Sequence, residues 1–399
     1  MKFAIIKERK NPPDKRAVLS PEACAAFKKI FQKAEIKVES DSNRAFSDEE
    51  YLKLGIEVTH DISDCDVMLG IKEVPADYLI PNKKYFFFSH TIKKQPHNQK
   101  LLQAILQKNI ELYDHEVITD TKGIRIVAFG KYAGIVGAYD TIRAYGLKMR
   151  SFNLPKAQDL PDKQALIEVL RKVTLPNIKI VLTGKGRVGN SVKEMLDAMP
   201  VREVTVDDYL TKVYDEAVYT QIDVLDYNKR IDGQVLPESD FFQNAQDYKS
   251  TFMRFAKVSD VYIAGHFYGA GAPYLYTRED AKDPSFKIRV VGDISCDVGG
   301  PVASTLRSST IADPIYGYDP QTEKETDYLN ENAIAVMAVD TLPCELPRDS
   351  SIGFGECFLT QVLPAFFDGD KDSILARALM TKNGSLTERF AYLQDYAKG

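Results

Sequence analysis

Two groups of residues in this chain have the types and spacing that chemistry requires. The first is Gly184-Lys185-Gly186-Arg187-Val188-Gly189. It follows Ile-Lys-Ile-Val-Leu-Thr at 178–183, which reads as a buried strand. It precedes a segment that places Val188, Val192, Met195, Leu196 and Met199 on one helical face. Strand, G-x-G-x-x-G and helix in that order make a dinucleotide-binding turn. Gly184 permits the turn, Gly186 lets the backbone approach a pyrophosphate, and Gly189 lets helix and strand pack closely. Arg187 and Val188 open the helix whose first N–H groups face the anion. Asp207 lies about 20 residues further on, at the end of the next predicted strand around Val204–Val206, where a carboxylate binds ribose hydroxyls. That carboxylate repels a 2′-phosphate, so NAD is the expected cofactor. Lys185, Arg187 and Arg202 are close enough in sequence to receive a phosphate, which leaves NADP open.

The second group lies in the first third of the chain. Lys72-Glu73 directly follows Val67–Ile71, and Ser89-His90-Thr91 directly follows Tyr85–Phe88, both read as strands. Ligands of open parallel sheets lie beyond the carboxyl ends of their strands. A lysine and a histidine at neighbouring ends could share proton transfer, the amine being made useful by burial or a nearby cation. Each alone reads equally as a solvated lysine or a capping histidine. Lys10 and Arg16 flank Asn11-Pro12-Pro13-Asp14-Lys15 after the first strand. A proline-stiffened loop with two cations suits a carboxylate, Arg16 holding it bidentately and Lys10 as a point charge; a solvated turn is the plain alternative. Asp293, ending the strand at 288–292, and Gly265-His266, following Val261–Ala264, fall on the expected cofactor face. Either could equally belong to a simple turn.

These residues need elements to position them. The first ~130 residues alternate strand and helix, which predicts an open, largely parallel sheet. Strands are expected at Phe3–Ile6, Ile36–Glu39, Val67–Ile71, Tyr85–Phe88 and Ile110–Leu112. Helices are expected from Ser20 to about Lys33, from a Ser47/Glu50 capping box through Leu54, and over about 98–108. Residues 133–149 form a longer helical pattern in which Gly134 and Gly137 suggest close packing. The stretch Ser151–Pro161 reads as a linker. A long helix from Ser239 and strands at 261–264, 288–291 and 333–339 complete the pattern.

Composition narrows the functional classes. The chain has 399 residues, 44% hydrophobic content, 27% charge and a net charge of −5. That suits a soluble protein of two or three domains, with no basic stripe for nucleic acid and no run able to span a membrane. Cys24, Cys65, Cys296, Cys344 and Cys357 are scattered with no C-x-x-C, so neither a metal site nor a disulfide framework is expected. A reducing compartment, the cytoplasm, follows. The expected partners are small-molecule substrates, and the sequence leaves homo-oligomerisation open.

Taken together, these segments resemble the alanine dehydrogenase superfamily, and within it the lysine-forming saccharopine dehydrogenases and lysine–ketoglutarate reductases. The resemblance rests on Lys10…Arg16-Ala17-Val18-Leu19-Ser20-Pro21, Gly70-Ile71-Lys72-Glu73, Phe88-Ser89-His90-Thr91-Ile92-Lys93, Phe129–Gly134, Gly292–Pro301, Val339-Asp340-Thr341-Leu342-Pro343 and Leu346-Pro347-Arg348. It implies an α/β fold of two Rossmann-like domains, mostly parallel sheets flanked by helices, with the active site in the interdomain cleft. Residues 1–132 plus 345–399 would form a discontinuous substrate and catalytic domain, and 133–344 the dinucleotide-binding domain. It implies Lys72 and His90 as the acid–base pair. Lys10, Arg16, Glu73, Arg125 and Phe129 would bind substrate, and Gly265, His266, Asp293 and Asp340 would join the cofactor site. The reaction implied condenses lysine with 2-oxoglutarate to an imine and reduces it with NAD(P)H to saccharopine, reversibly. The alternatives are reductive amination of a small oxo acid, as in alanine dehydrogenases, and a non-catalytic NAD(H)-binding regulator.

Overall fold

The computed structural model describes residues 1–11, 14–269 and 271–398. The chain divides into two compact units, Met1–Phe129 with Pro347–Gly399, and Gly130–Leu346.

The first unit is built on six parallel strands: β1 (Lys2–Ile5), β2 (Glu35–Glu39), β3 (Glu57–Thr59), β4 (Val67–Leu69), β5 (Lys84–Phe87) and β6 (Glu111–Asp114). Their order is β3-β2-β1-β4-β5-β6, every pair parallel. Successive side chains leave a strand on opposite faces, yet Val67, Met68 and Leu69 are all fully buried. Val67 and Leu69 join one core and Met68 another, as expected of a sheet covered on both sides. The helices match their signals. Pro21–Ile30 is capped by Ser20, and Asp48–Lys53 opens with the Ser47/Glu50 capping box. The chain's last part returns to this unit, where Phe354 and Phe358 enter the core. Phe354 stacks on Phe129 with ring centroids 4.7 Å apart.

The second unit holds β7 (Lys179–Thr183), β8 (Arg202–Glu203), β9 (Val218–Ile222), a hairpin of β10 (Asn228–Arg230) and β11 (Tyr248–Ser250), β12 (Val261–Ala264), β13 (Val290–Asp293), β14 (Ile315–Asp319), β15 (Lys324–Thr326) and β16 (Ile334–Met337). The main sheet runs β15-β14-β16-β13-β12-β7-β9-β8, with β14 antiparallel to both its neighbours and every other pair parallel. Helix Gly130–Lys148 packs closely on the helix Arg187–Asp197. A Cβ at Gly134 would overlap Ser191 and the Val188 carbonyl, so this contact requires glycine.

Three expectations need correction. Ser151–Pro161 is no linker between units, since both its ends lie in the second unit. Tyr139 donates to the Pro155 carbonyl at 2.9 Å and Arg143 to that of Leu154 at 3.0 Å, which ties the proline-rich stretch down. The helix near Ser239 is short, Glu238–Gln243, ending where Asn244 leaves the helical region. Finally, Val204–Val206 is not a strand. Thr205 caps a helix, Val206–Thr211, by accepting from the Asp208 N–H, and that capping chemistry outweighs the β-branched composition.

Candidate active site

In each main sheet the order of strands along the chain reverses about a central parallel pair, which leaves a crevice at their carboxyl ends. In the first unit the reversal falls between β1 and β4, and in the second between β7 and β12. Both sets of predicted residues stand at these points.

In the first unit, β4 and β5 are hydrogen-bonded neighbours, and the Phe88 N–H donates to the Ile71 carbonyl at 2.9 Å beyond their ends. Lys72 and His90 therefore leave adjacent strand ends. Burial lowers the pKa of the half-buried imidazole most; Glu73 opposes that shift and Lys72 adds to it, leaving His90 below its ordinary value. Glu116 also raises it and Lys93 lowers it, more weakly. His90 sits in the left-handed region at φ 54°, ψ 10° and lies against Phe88, centroids 6.3 Å apart. Burial raises the Glu73 carboxyl, but the Lys10 ammonium 2.6 Å from Oε1 more than offsets this, and Glu73 ends below the ordinary carboxylate range. Glu73 Oε2 is buried without a hydrogen-bond partner.

The two cations expected to hold a substrate carboxylate are engaged within their own unit. Lys10 pairs with Glu73, and it is partly exposed. Arg16 is buried and grips Asp14 with two donors, Nε to Oδ1 at 2.9 Å and Nη2 to Oδ2 at 2.6 Å. Its guanidinium lies 4.0 Å from the centre of the Phe129 ring. The bidentate partner expected of a substrate is thus supplied by Asp14, which sequence reading passed over as part of a charged turn. Pro12 and Pro13 of that loop lie outside the described residues. Arg125 is half-buried, donates Nε to the Val127 carbonyl at 3.0 Å and covers Phe88. Arg16, Arg125 and Phe129 therefore sit on one aromatic patch with Phe88 and Phe354.

In the second unit the glycine turn has the geometry that a dinucleotide needs. Gly184 takes φ +94°, and a Cβ there would lie 2.7 Å from the Gly265 carbonyl oxygen. A Cβ on Gly189 would overlap the Gly184 carbonyl, so helix and strand meet only through glycine. Gly186, by contrast, has nothing within 4 Å of a built Cβ. It caps the helix Arg187–Asp197 and borders a cavity of about 650 Å³ lined by Gly184–Val188, Asp223, Tyr227, Glu238, Phe242 and Gly265–Phe267. Open space over Gly186, the helix that opens at the turn and a buried His266 fit a bound NAD(H). His266 Nδ1 lies 2.8 Å from the Thr183 hydroxyl, while Nε2 is buried with no partner. Burial pushes its pKa down to about 4, so the ring is neutral.

Asp207 does not join this cavity. It is an exposed first-turn residue of the helix Val206–Thr211, away from any strand end. The carboxylate at the end of the strand paired with β7 is Asp223, directly after β9, with Ile222 in register with Thr183. The segment between them, with the short edge strand β8, separates Asp223 from the turn by more residues than the usual spacing, which is why it was missed. Its signal was legible: Val-Tyr-Thr-Gln-Ile is strand-forming and ends in an acid. Asp293 ends β13 but is fully buried. It accepts from Ser295, Cys296 and Thr305 and so ties down its own loop. Asp340 is exposed just beyond β16, outside the residues that line the cavity.

Among the described residues no helix is long and apolar enough to cross a membrane, and no three side chains of metal-binding type cluster.

The N-terminal part matches the family model "Alanine dehydrogenase/PNT, N-terminal domain" over residues 4–136. Across 98% of its length the chain is 26% identical to the mitochondrial alpha-aminoadipic semialdehyde synthase of Mus musculus, and across 99% it is 26% identical to the synthase of Arabidopsis thaliana. It covers 47% and 41% of those proteins, so it spans less than half their length. It is also 26% identical to the saccharopine dehydrogenase [NAD(+), L-lysine-forming] of Schizosaccharomyces pombe, over 94% of this chain and 95% of that one. An L-alanine dehydrogenase structure superposes with a TM-score of 0.66 at 15% identity, covering 100% of both chains. A transhydrogenase from Sinorhizobium meliloti gives 0.61 at 16% identity, over 97% of this chain and 100% of that one. The fold is thus Rossmann-like, as in these two structures, and the sequence is similar to proteins named saccharopine dehydrogenase and alpha-aminoadipic semialdehyde synthase.

Proposed function

We propose that this chain is an NAD-dependent dehydrogenase that joins the amino group of lysine to the carbonyl carbon of 2-oxoglutarate and reduces the resulting imine to saccharopine, reversibly. The observation that carries the reading is Lys72 beside His90 at the ends of β4 and β5, with the imidazole kept neutral by burial. The likeness to a lysine-forming saccharopine dehydrogenase over nearly the whole of both chains supports it.

In this reading the neutral imidazole and the lysine share the proton transfers. The attacking amine must lose a proton as its C–N bond forms, and the carbinolamine oxygen must gain one as water departs. NAD(H), when bound along the glycine turn, supplies or accepts hydride. Asp223 would receive the adenine ribose hydroxyls, and its charge favours NAD over NADP. Lys10, partly exposed, would exchange Glu73 for a substrate carboxylate. Arg16 would act through the ordered Asp14 and Phe129 surface rather than as an open clamp.

The test follows NADH consumption with matched pairs of amine and oxo acid. Lysine with 2-oxoglutarate should be turned over, and Lys72→Met and His90→Ala should lower turnover far more than NADH affinity. Turnover of ammonium with pyruvate alone would replace this reading with alanine-dehydrogenase chemistry. Tight NADH binding without turnover of any pair would leave a regulator.

A further inference from the structure

Lys72 and His90 are placed by backbone, and the backbone is held by side chains that the proposed chemistry does not use. Four consecutive strands of the first sheet, β1-β4-β5-β6, end on the same side. The inner two, β4 and β5, lead to Lys72 and His90. The outer two carry buried acids.

Glu8 follows β1 and is 7% exposed. One of its oxygens accepts the Ile71 N–H at 2.6 Å and the other the Lys72 N–H at 2.9 Å. The first of these peptides is also held at its carbonyl, because His115 Nε2 lies 2.8 Å from the Gly70 oxygen. His115 is fully buried among Phe86, Phe88, Phe354 and Phe358. Its neutral ring must carry its proton on Nε2, since a carbonyl only accepts. Two successive peptide groups leading into Lys72 are therefore held by two side chains.

Asp114 closes β6 and is fully buried. Its Oδ2 accepts from the Ser89 N–H at 3.0 Å and from the Ser89 hydroxyl, and its Oδ1 accepts the Glu116 N–H at 2.7 Å. The Ser89 hydroxyl is also 2.7 Å from that of Thr91 and receives the Thr91 N–H at 3.2 Å. Both neighbours of His90 are thus tied to one buried acid, and His90 is held between them at a positive φ that a side-chain-bearing residue rarely adopts.

We propose that Glu8 and Asp114 are positioning residues, paired buried acceptors that set the separation and aim of Lys72 and His90 without touching substrate. The proposal rests on the functional reading above. Its chemical content is that both oxygens of each carboxylate receive N–H or O–H donors. An amide in place of the acid turns one acceptor into a donor facing a donor, which pushes the strand end away.

The test measures Glu8→Gln and Asp114→Asn in the full chain beside Phe27→Leu, a core change at the far side of the same unit next to Phe3. Misplacing a reacting group by about an ångström costs on the order of 100-fold. Both amide variants should therefore lose about ten-fold or more in kcat, with NADH affinity unchanged and the substrate KM moved less than kcat. Phe27→Leu should lose melting temperature and keep kcat. Should either amide variant fail to fold, Glu8→Asp or Ser89→Ala gives the same reading with a milder loss of kcat. The outcomes separate the proposal from the reading beneath it. A fully active Lys72→Met would sink both. Inactive Lys72→Met beside Glu8→Gln and Asp114→Asn that keep wild-type kcat would overturn only the positioning role.

Discussion

His90 is an imidazole whose surroundings decide its proton. Burial, its largest influence, disfavours the charged form, and Lys72 adds to this against Glu73 and Glu116. With its pKa below the ordinary histidine value, the ring is neutral at neutral pH and gains a proton only in more acid solution. The acid limb of kcat/KM should therefore lie below pH ~6.5 and vanish in His90→Ala, which a pH–rate profile would check. Lys10 and Arg16 should respond differently to truncation. The Lys10–Glu73 pair is partly exposed, so Lys10→Ala should cost under about 1 kcal/mol of stability and raise the oxo-acid KM. The Arg16–Asp14 pair is buried, and Arg16→Ala takes the guanidinium charge away from a buried carboxylate, a loss of about 3–5 kcal/mol in denaturant unfolding. At the cofactor, Asp223→Ser should shift the NADH/NADPH preference toward NADPH by about ten-fold or more, from loss of a charged hydrogen bond and of repulsion. An unchanged ratio in binding titrations would remove Asp223 from the ribose.

At the scale of elements, the glycine turn separates into parts that stability and binding can tell apart. Gly189→Ala puts a Cβ into the Gly184 carbonyl and should cost about 1–3 kcal/mol of stability. Gly186→Ala meets open space at φ −80°, so thermal melting should be unchanged while NADH binding weakens. Most of the elements that carry these residues were legible because their signals are local. The apolar runs at Val67–Leu69 and Tyr85–Phe87, the Ser47/Glu50 box and the strand–turn–helix at 179–197 each announce themselves within a few residues. What escaped depends on partners distant in sequence. Asp114 and His115 act on residues more than twenty positions away, and Glu8 on residues more than sixty away, and nothing local marks them. Asp207 failed for the opposite reason. An extra edge strand, β8, lies between the turn and β9, so the acid at the end of the strand paired with β7 is Asp223, beyond the usual spacing.

At the scale of the whole molecule, two acids of the second unit, Asp140 in its first helix and Glu345 near its end, couple stability to pH. Asp140 and Glu345 are buried and hydrogen-bonded to each other. Burial first, and then the neighbouring charge, pushes Glu345 up to about 9. A raised carboxyl gives stability that is complete below the ordinary glutamate range and is lost as pH rises through that value. The melting temperature should therefore fall progressively between about pH 5 and pH 9 and level off above that, and Glu345→Gln should flatten that fall. A variant as steep as the wild type would show that another group is responsible.

In the proposed reaction one chain condenses an amine with an oxo acid and passes hydride to the resulting carbon. Incubation with lysine, 2-oxoglutarate and NADH carrying deuterium at the transferable C4 position, followed by mass spectrometry of the products, tests this. The expected product is a secondary amine containing both carbon skeletons, with the deuterium on the carbon that had been the oxo acid's carbonyl. NADH consumed without such a product, or a product lacking the label, would contradict it.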